Sequence, residues 1–181
     1  MNKHCFINCL MLALSTIPFI MPPPASASEY PVTPLKSASI IKGQEQVIVS
    51  ADQSSYNETT GRYDLHGHVR IQSGPRIFLS DSAKISARTL QLWTESPTHL
   101  QEGELRFSGG AVYAELAGIT VLFFGPSCKM ERPGLAIQSD NMSYNWETHI
   151  ATFNGHVLCI RKDERRAAGH LEFDLENNEI R

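Results

Sequence analysis

The sequence predicts an all-β protein built from repeated short antiparallel strands. Three observations carry that prediction. Apolar and polar residues alternate with period two from Gln46 onward, the pattern of strands with one dry and one wet face. Clusters of Asn, Gly, Pro and Asp, which supply turn geometry, interrupt the alternation roughly every 8 to 12 residues. Two stretches, "SYNETTGRYDLHGHVRI" from Ser55 and "SYNWETHIATFNGHVLCI" from Ser143, align without a gap at an offset of 88 residues.

The first 27 residues stand apart from this pattern. An apolar run, Cys5 to Met21, is followed by "PPPASAS", where Ala25-Ser26-Ala27 has the small-x-small form that a signal peptidase reads. Export with cleavage after Ala27 is expected, in preference to an uncleaved membrane anchor. Residues 28–45 are polar and Pro-bearing and read as a linker or leader, with a short first strand at its end.

The domain proper is expected over residues 46–181, enough for one core. Val47, Val49 and Ala51 alternate with Gln46, Ile48 and Ser50. Tyr63 and Leu65, then Val69 and Ile71, repeat the pattern. "NETTG" (Asn57–Gly61) and "SGPR" (Ser73–Arg76) read as turns, and "DLENNE" (Asp174–Glu179) closes the chain. Residues 88–134 alternate less cleanly and read as an irregular insertion, in which Phe107-x-Gly109-x-x-Val112 is a degenerate third copy of Leu65-x-Gly67-x-Val69.

The repeat is a physical unit. Asp52, Ser55, Tyr56 and Asn57 fall on Asp140, Ser143, Tyr144 and Asn145; Gly67, His68 and Val69 fall on Gly155, His156 and Val157. A glycine inside a strand marks a bulge or a sharp bend. A bend at the same point of each copy, about residues 47–85 and 137–180, predicts a curved, elongated sheet with one continuous apolar interior. The ends of such a stack leave sheet edges that can pair with another chain.

These residues, "DxxSYN … FNGHV" followed by a charged hairpin and "AGHLEFD", resemble the OstA-like (LptA-type) periplasmic proteins of lipopolysaccharide transport. The resemblance covers both copies. It implies a twisted, open β-jelly roll whose apolar interior holds acyl chains, and head-to-tail stacking with other OstA-like envelope proteins or with further copies. It implies no enzyme and no cofactor. His68 and His156 stand where the family usually has Asn. The related LptC-type component keeps an uncleaved N-terminal anchor. The groove lining expected on this basis is Val49, Leu65, Val69, Ile71, Phe107, Val121, Phe153, Val157 and Phe173, with Cys159 on the same parity; in a narrow sandwich the same residues would be ordinary core.

Other features point to ordinary roles. After Ala27 the charge is 15 Lys and Arg, Lys3 having gone, against 19 Asp and Glu, which gives no support to nucleic-acid binding. Cys128 and Cys159 either pair as a disulfide in an oxidising compartment or stay as separate buried thiols. His66, His68 and His156 invite a metal site, but no Cys or carboxylate sits at a helpful spacing, and they read as satisfied structural histidines. "RKDERR" (Arg161–Arg166) reads as a mixed-charge, solvent-facing connection that blunts an edge. No nucleophile motif, P-loop or paired-carboxylate arrangement is present.

Overall fold

The computed structural model describes residues 33–162 and 164–181. The expected signal segment, its cleavage site after Ala27 and the start of the linker lie outside the described residues.

The described residues run back and forth as five hairpins and a short closing strand. β1 (Thr33–Lys42) and β2 (Glu45–Asn57) form the first, β3 (Arg62–Ser73) and β4 (Arg76–Ser86) the second. In the third, each arm is broken in two: β5 (Gln91–Thr94) and β6 (Thr98–Glu102), then β7 (Leu105–Gly109) and β8 (Ala111–Glu115). β9 (Thr120–Arg132) with β10 (Leu135–Asn145), and β11 (Ile150–Arg161) with β12 (Glu164–Asp174), complete the set before β13 (Glu179–Ile180). All join one antiparallel sheet in the order β1-β2-β3-β4-β5-β8-β9-β10-β11-β12-β13, with β6 and β7 bridging β4 to β9 beside β5 and β8.

The turns at one end form a ladder, here the polar row. The residue that opens most of these turns caps it with a side-chain oxygen. Asn57 Oδ1 accepts from the Thr60 amide at 3.0 Å and Ser86 Oγ from Thr89 at 3.1 Å. Asn145 Oδ1 accepts from Glu147 and Thr148, both at 3.0 Å, and Asp174 Oδ1 from Glu176 at 3.1 Å and Asn177 at 2.9 Å. Such short polar side chains offer the backbone a local partner and so favour turns. Each turn also bonds the one before it: Ala87 to Gly61, Leu116 to Leu90, Trp146 to Ile119 and Leu175 to His149. At the other end lie the tight hairpin tips at Gly43, Gly74, Gly103, Gly134 and Lys162, the tip row.

The step between turns explains the motif spacing. Asn57 to Ser86 and Ser86 to Glu115 are 29 residues each, Glu115 to Asn145 is 30, and Asn145 to Asp174 is 29. Three steps carry Asn57 to Asn145, the offset of 88. Residues 88–134 are therefore not an insertion. They hold the third hairpin and β9 at the common step. The alternation is masked because Thr94 and Thr98 occupy the inward places that Leu65 and Val69 hold one step earlier, and Pro97, which has no N–H to give the ladder, breaks the arm. Hydroxyls satisfy the break: Thr98 Oγ1 donates to Thr94 Oγ1 at 2.7 Å, and Thr94 Oγ1 accepts from the Val112 amide at 2.9 Å. Phe107 is the counterpart of Phe78 in β4, one step of 29 earlier, rather than of Leu65. The leader is also shorter than expected, because β1 pairs with β2 from Thr33, held by backbone bonds that leave little apolar pattern to read.

The glycine expected to mark a bulge or bend does so at Gly67, inside a single 12-residue strand, β3. Registers slip at Ser50/Gln53, His66/Val69, Gln138/Asn141 and Asn154/Val157. These bulges form a line across the sheet, and bulges bend the strands that carry them. The sheet folds there, so the half beside the tip row faces the half beside the polar row. The contacts that cross the interior join a tip half to the polar half of a later hairpin: Arg76 with Trp146, Glu102 with Tyr144, Arg132 with Leu175. One apolar cluster fills the space between the two halves.

Candidate functional site

The inward face is the candidate site, and its geometry begins at the bulges. Gly67 and Gly155 have φ of 71° and 74°, and His68 and His156 both have φ of 42°. A Cβ built on either glycine would overlap the side chain of Asp52 or Asp140. Each Asp holds the histidine that follows the glycine: His68 Nδ1 lies 2.6 Å from Asp52 Oδ2, and His156 Nδ1 lies 2.7 Å from Asp140 Oδ2. That hydrogen bond, then the carboxylate charge, raises both imidazole pKa values. The repeated Asp and Gly-His are thus two parts of one corner, 15 residues apart in the chain from Asp52 to Gly67 and brought together where the β2–β3 register slips. His68 and His156 sit on β3 and β11, each committed to its own Asp.

The nine expected lining residues come together. Val49 (β2), Leu65, Val69 and Ile71 (β3), Phe107 (β7), Val121 (β9), Phe153 and Val157 (β11) and Phe173 (β12) share one cluster with Cys159, and none is more than 3% exposed. Their side chains pack against one another as core. Sequence reasoning missed several large members, among them Phe78, Leu92, Leu100, Phe123 and Tyr144. The Tyr144 ring stacks on Phe107 with centroids 4.6 Å apart, and Phe107 stacks on Phe123 at 5.8 Å. The 29-residue step, which aligns Phe78 with Phe107, is the signal that would have found them.

Cys128 and Cys159 are both free and buried. They lie on β9 and β11, on either side of β10. Two strand spacings separate them by about 10 Å, beyond the reach of a disulfide. Of the two arrangements left open by the sequence, the structure holds the separate thiols. Burial, then the charge of Asp140, pushes the Cys128 thiol up to about 11.

The two ends of the stack are unlike its middle. Among the described residues, no earlier hairpin faces the polar half of the first. There Tyr56 and Tyr63 pair across β2 and β3 with ring centroids 4.5 Å apart, and Tyr56 is 39% exposed. Among the described residues, no later hairpin faces the tip half of the fifth. β12 is exposed from Glu164 to His170, and a cleft there is lined by Cys159, Arg161, Glu164, Arg166, Glu179 and Ile180. β13 pairs with Phe173 and Asp174, and among the described residues no strand pairs with the rest of that β12 edge.

No protein-family model matches the chain. No curated protein matches it either. Among solved structures it is similar to LptH of Pseudomonas aeruginosa, described as the LptA homologous periplasmic component of the conserved lipopolysaccharide transport device. The match has a TM-score of 0.56 at 12% identity and covers 60% of this chain and 82% of that one. A single antiparallel sheet of tandem hairpins, folded along a line of bulges around an apolar interior, is the OstA-like, LptA-type β-jelly roll, and that is the fold of this chain.

Proposed function

We propose that this protein is a periplasmic, non-enzymatic carrier that binds the acyl chains of lipopolysaccharide or a similar glycolipid and passes them toward the outer membrane. The observation that carries the reading is the fold shared with LptH together with an apolar interior that runs the length of the stack. Each buried CH₂ contributes about 0.8 kcal/mol, so several acyl chains bind an apolar interior without any cofactor. Val49, Leu65, Val69, Ile71, Phe107, Val121, Phe153, Val157 and Phe173 are the proposed lining, and chains enter by displacing contacts among them.

Transfer needs a next site of similar affinity. The unfaced tip half of the fifth hairpin and the unfaced polar half of the first are complementary halves of one layer. End-to-end stacking with another copy, or with another OstA-like envelope protein, joins them and continues the interior. A second reading, an envelope scaffold without cargo, draws on the open edge of β12 alone.

The test is native mass spectrometry of the protein purified from the periplasmic fraction, with lipid extraction and N-terminal sequencing in parallel. A chain beginning at Ser28 with a bound lipid A species is the expected result. A chain that carries no lipid and takes up no added lipid A, yet forms concentration-dependent oligomers, would replace the carrier reading with the scaffold.

A further inference from the structure

Three sets of contacts tie the tip row to the polar row across the mouth of the fold, and none belongs to the sheet's hydrogen-bond ladder. The Arg76 guanidinium lies over the Trp146 ring, 4.1 Å from its centroid. Tyr144 donates to Glu102 at 2.9 Å and meets His149 Nδ1 at 3.2 Å. Arg132 donates to the Leu175 carbonyl at 2.9 Å and to the Asn178 side chain, and lies 5.3 Å from the Phe173 ring. The rims can therefore part without breaking a strand pair.

Two of these ties end in guanidinium groups with capacity for another partner. Arg76 Nε and Nη1 are buried and have no hydrogen-bond partner among the described residues. A buried donor in that condition calls for a partner. Burial also lowers the Arg76 pKa, with Glu102 acting against it. Arg132 shares a cleft with Glu104, Arg161, Lys162, Leu175, Glu176 and Asn178, in which three basic side chains outnumber two acidic ones. The planar fork of arginine matches phosphate with two parallel hydrogen bonds, which a ring face cannot offer.

We propose that Arg76 and Arg132 are clasps across the mouth that exchange their partners on the opposite rim for the phosphates of an anionic amphiphile as its acyl chains enter between the rims. This rests on the carrier reading. It adds a headgroup site and a coupling: binding of the head releases the contacts that close the mouth.

The chain has two tryptophans, Trp93 and Trp146. In the Trp93→Phe protein, emission and acrylamide quenching report on Trp146 alone. The probes are bisphosphorylated lipid A, the same lipid with its phosphates removed, and inorganic phosphate, with lipid binding followed separately by native mass spectrometry. Bisphosphorylated lipid A should shift Trp146 emission to the red and raise its quenching in step with binding. Dephosphorylated lipid should bind about tenfold more weakly, as should bisphosphorylated lipid A to Arg76→Gln or Arg132→Gln protein of unchanged circular dichroism. If bisphosphorylated lipid A binds wild type with Trp146 unmoved, or binds the Gln variants as it binds wild type, the clasp is wrong and the carrier reading stands. If neither lipid binds wild type, both fall.

Discussion

Tyr56 and Tyr144 occupy the same place in two copies of one unit, yet one is 39% exposed and the other fully buried. Their local settings match: each lies four residues after an Asp that holds a bulge histidine, and each precedes the Asn that caps a polar turn. The difference is what faces them. Tyr144 meets Phe107 and Glu102 from the tip half of the third hairpin, whereas Tyr56 belongs to the first hairpin and meets Tyr63 of its own layer. Repetition sets the conformation of a unit. Position in the stack sets its burial.

The largest expected effect breaks the pair apart. Tyr144→Ala should cost about 3–5 kcal/mol, as an aromatic removed from a core does. Tyr56→Ala should cost less than about 1 kcal/mol, as surface changes do. Urea unfolding at low protein concentration measures both. A Tyr56→Ala cost that grows with concentration would show that a second copy covers Tyr56 in solution.

The bulge glycines should behave alike, because their constraint is local. Gly67→Ala and Gly155→Ala each force a Cβ into positive φ and against an Asp. About 2 kcal/mol is expected for each, from the same unfolding measurement. A large difference between the two would show that the corner depends on its place in the stack. Smaller still are the caps: Asn57→Ala and Asn145→Ala should each cost about 1 kcal/mol, read from thermal unfolding midpoints.

The smallest effect is pH-dependent. Both bulge histidines have raised pKa values, from the hydrogen bond and then the charge of their Asp, and Asp81 adds to the rise at His68. Their contribution to stability is fully present below the unfolded value of 6.5 and is lost as pH rises through the raised folded value. Proton NMR of the imidazoles should show both midpoints above 6.5, falling back toward it in Asp52→Asn and Asp140→Asn proteins. At the C-terminal turn the sign reverses. The Asn177 amide, the Asn177 side chain and Arg181 hold the Asp174 carboxyl down to about 2. What it contributes is present above 3.8 and lost only as pH falls through about 2, visible as release of the 174–181 turn by hydrogen exchange.

The junctions from β2 to β3 and from β10 to β11 kept their words, and those were the ones the sequence displayed. The others keep the geometry with different residues. A turn cap needs only a short side-chain oxygen, so Ser86 and Asp174 serve as well as Asn57. An inward place needs only to be dry and satisfied, so Thr94 with its hydroxyl partners stands in for a leucine. That tolerance hid the 29-residue step and made the third hairpin look like an insertion.

The sequence by itself determined the strands, the inward parity of all nine proposed lining residues and the bulge at each Gly-His pair. These follow from alternation, which any strand with one dry face must show, and from the steric demand of positive φ. Only the tertiary structure decided which half of the sheet lies against which. That arrangement depends on the bends of several strands acting together, and no single segment encodes it. It buries Tyr144, leaves Tyr56 open and carries Arg76 across to Trp146, because the fold line brings together residues that neither neighbour in the chain nor pair in the sheet.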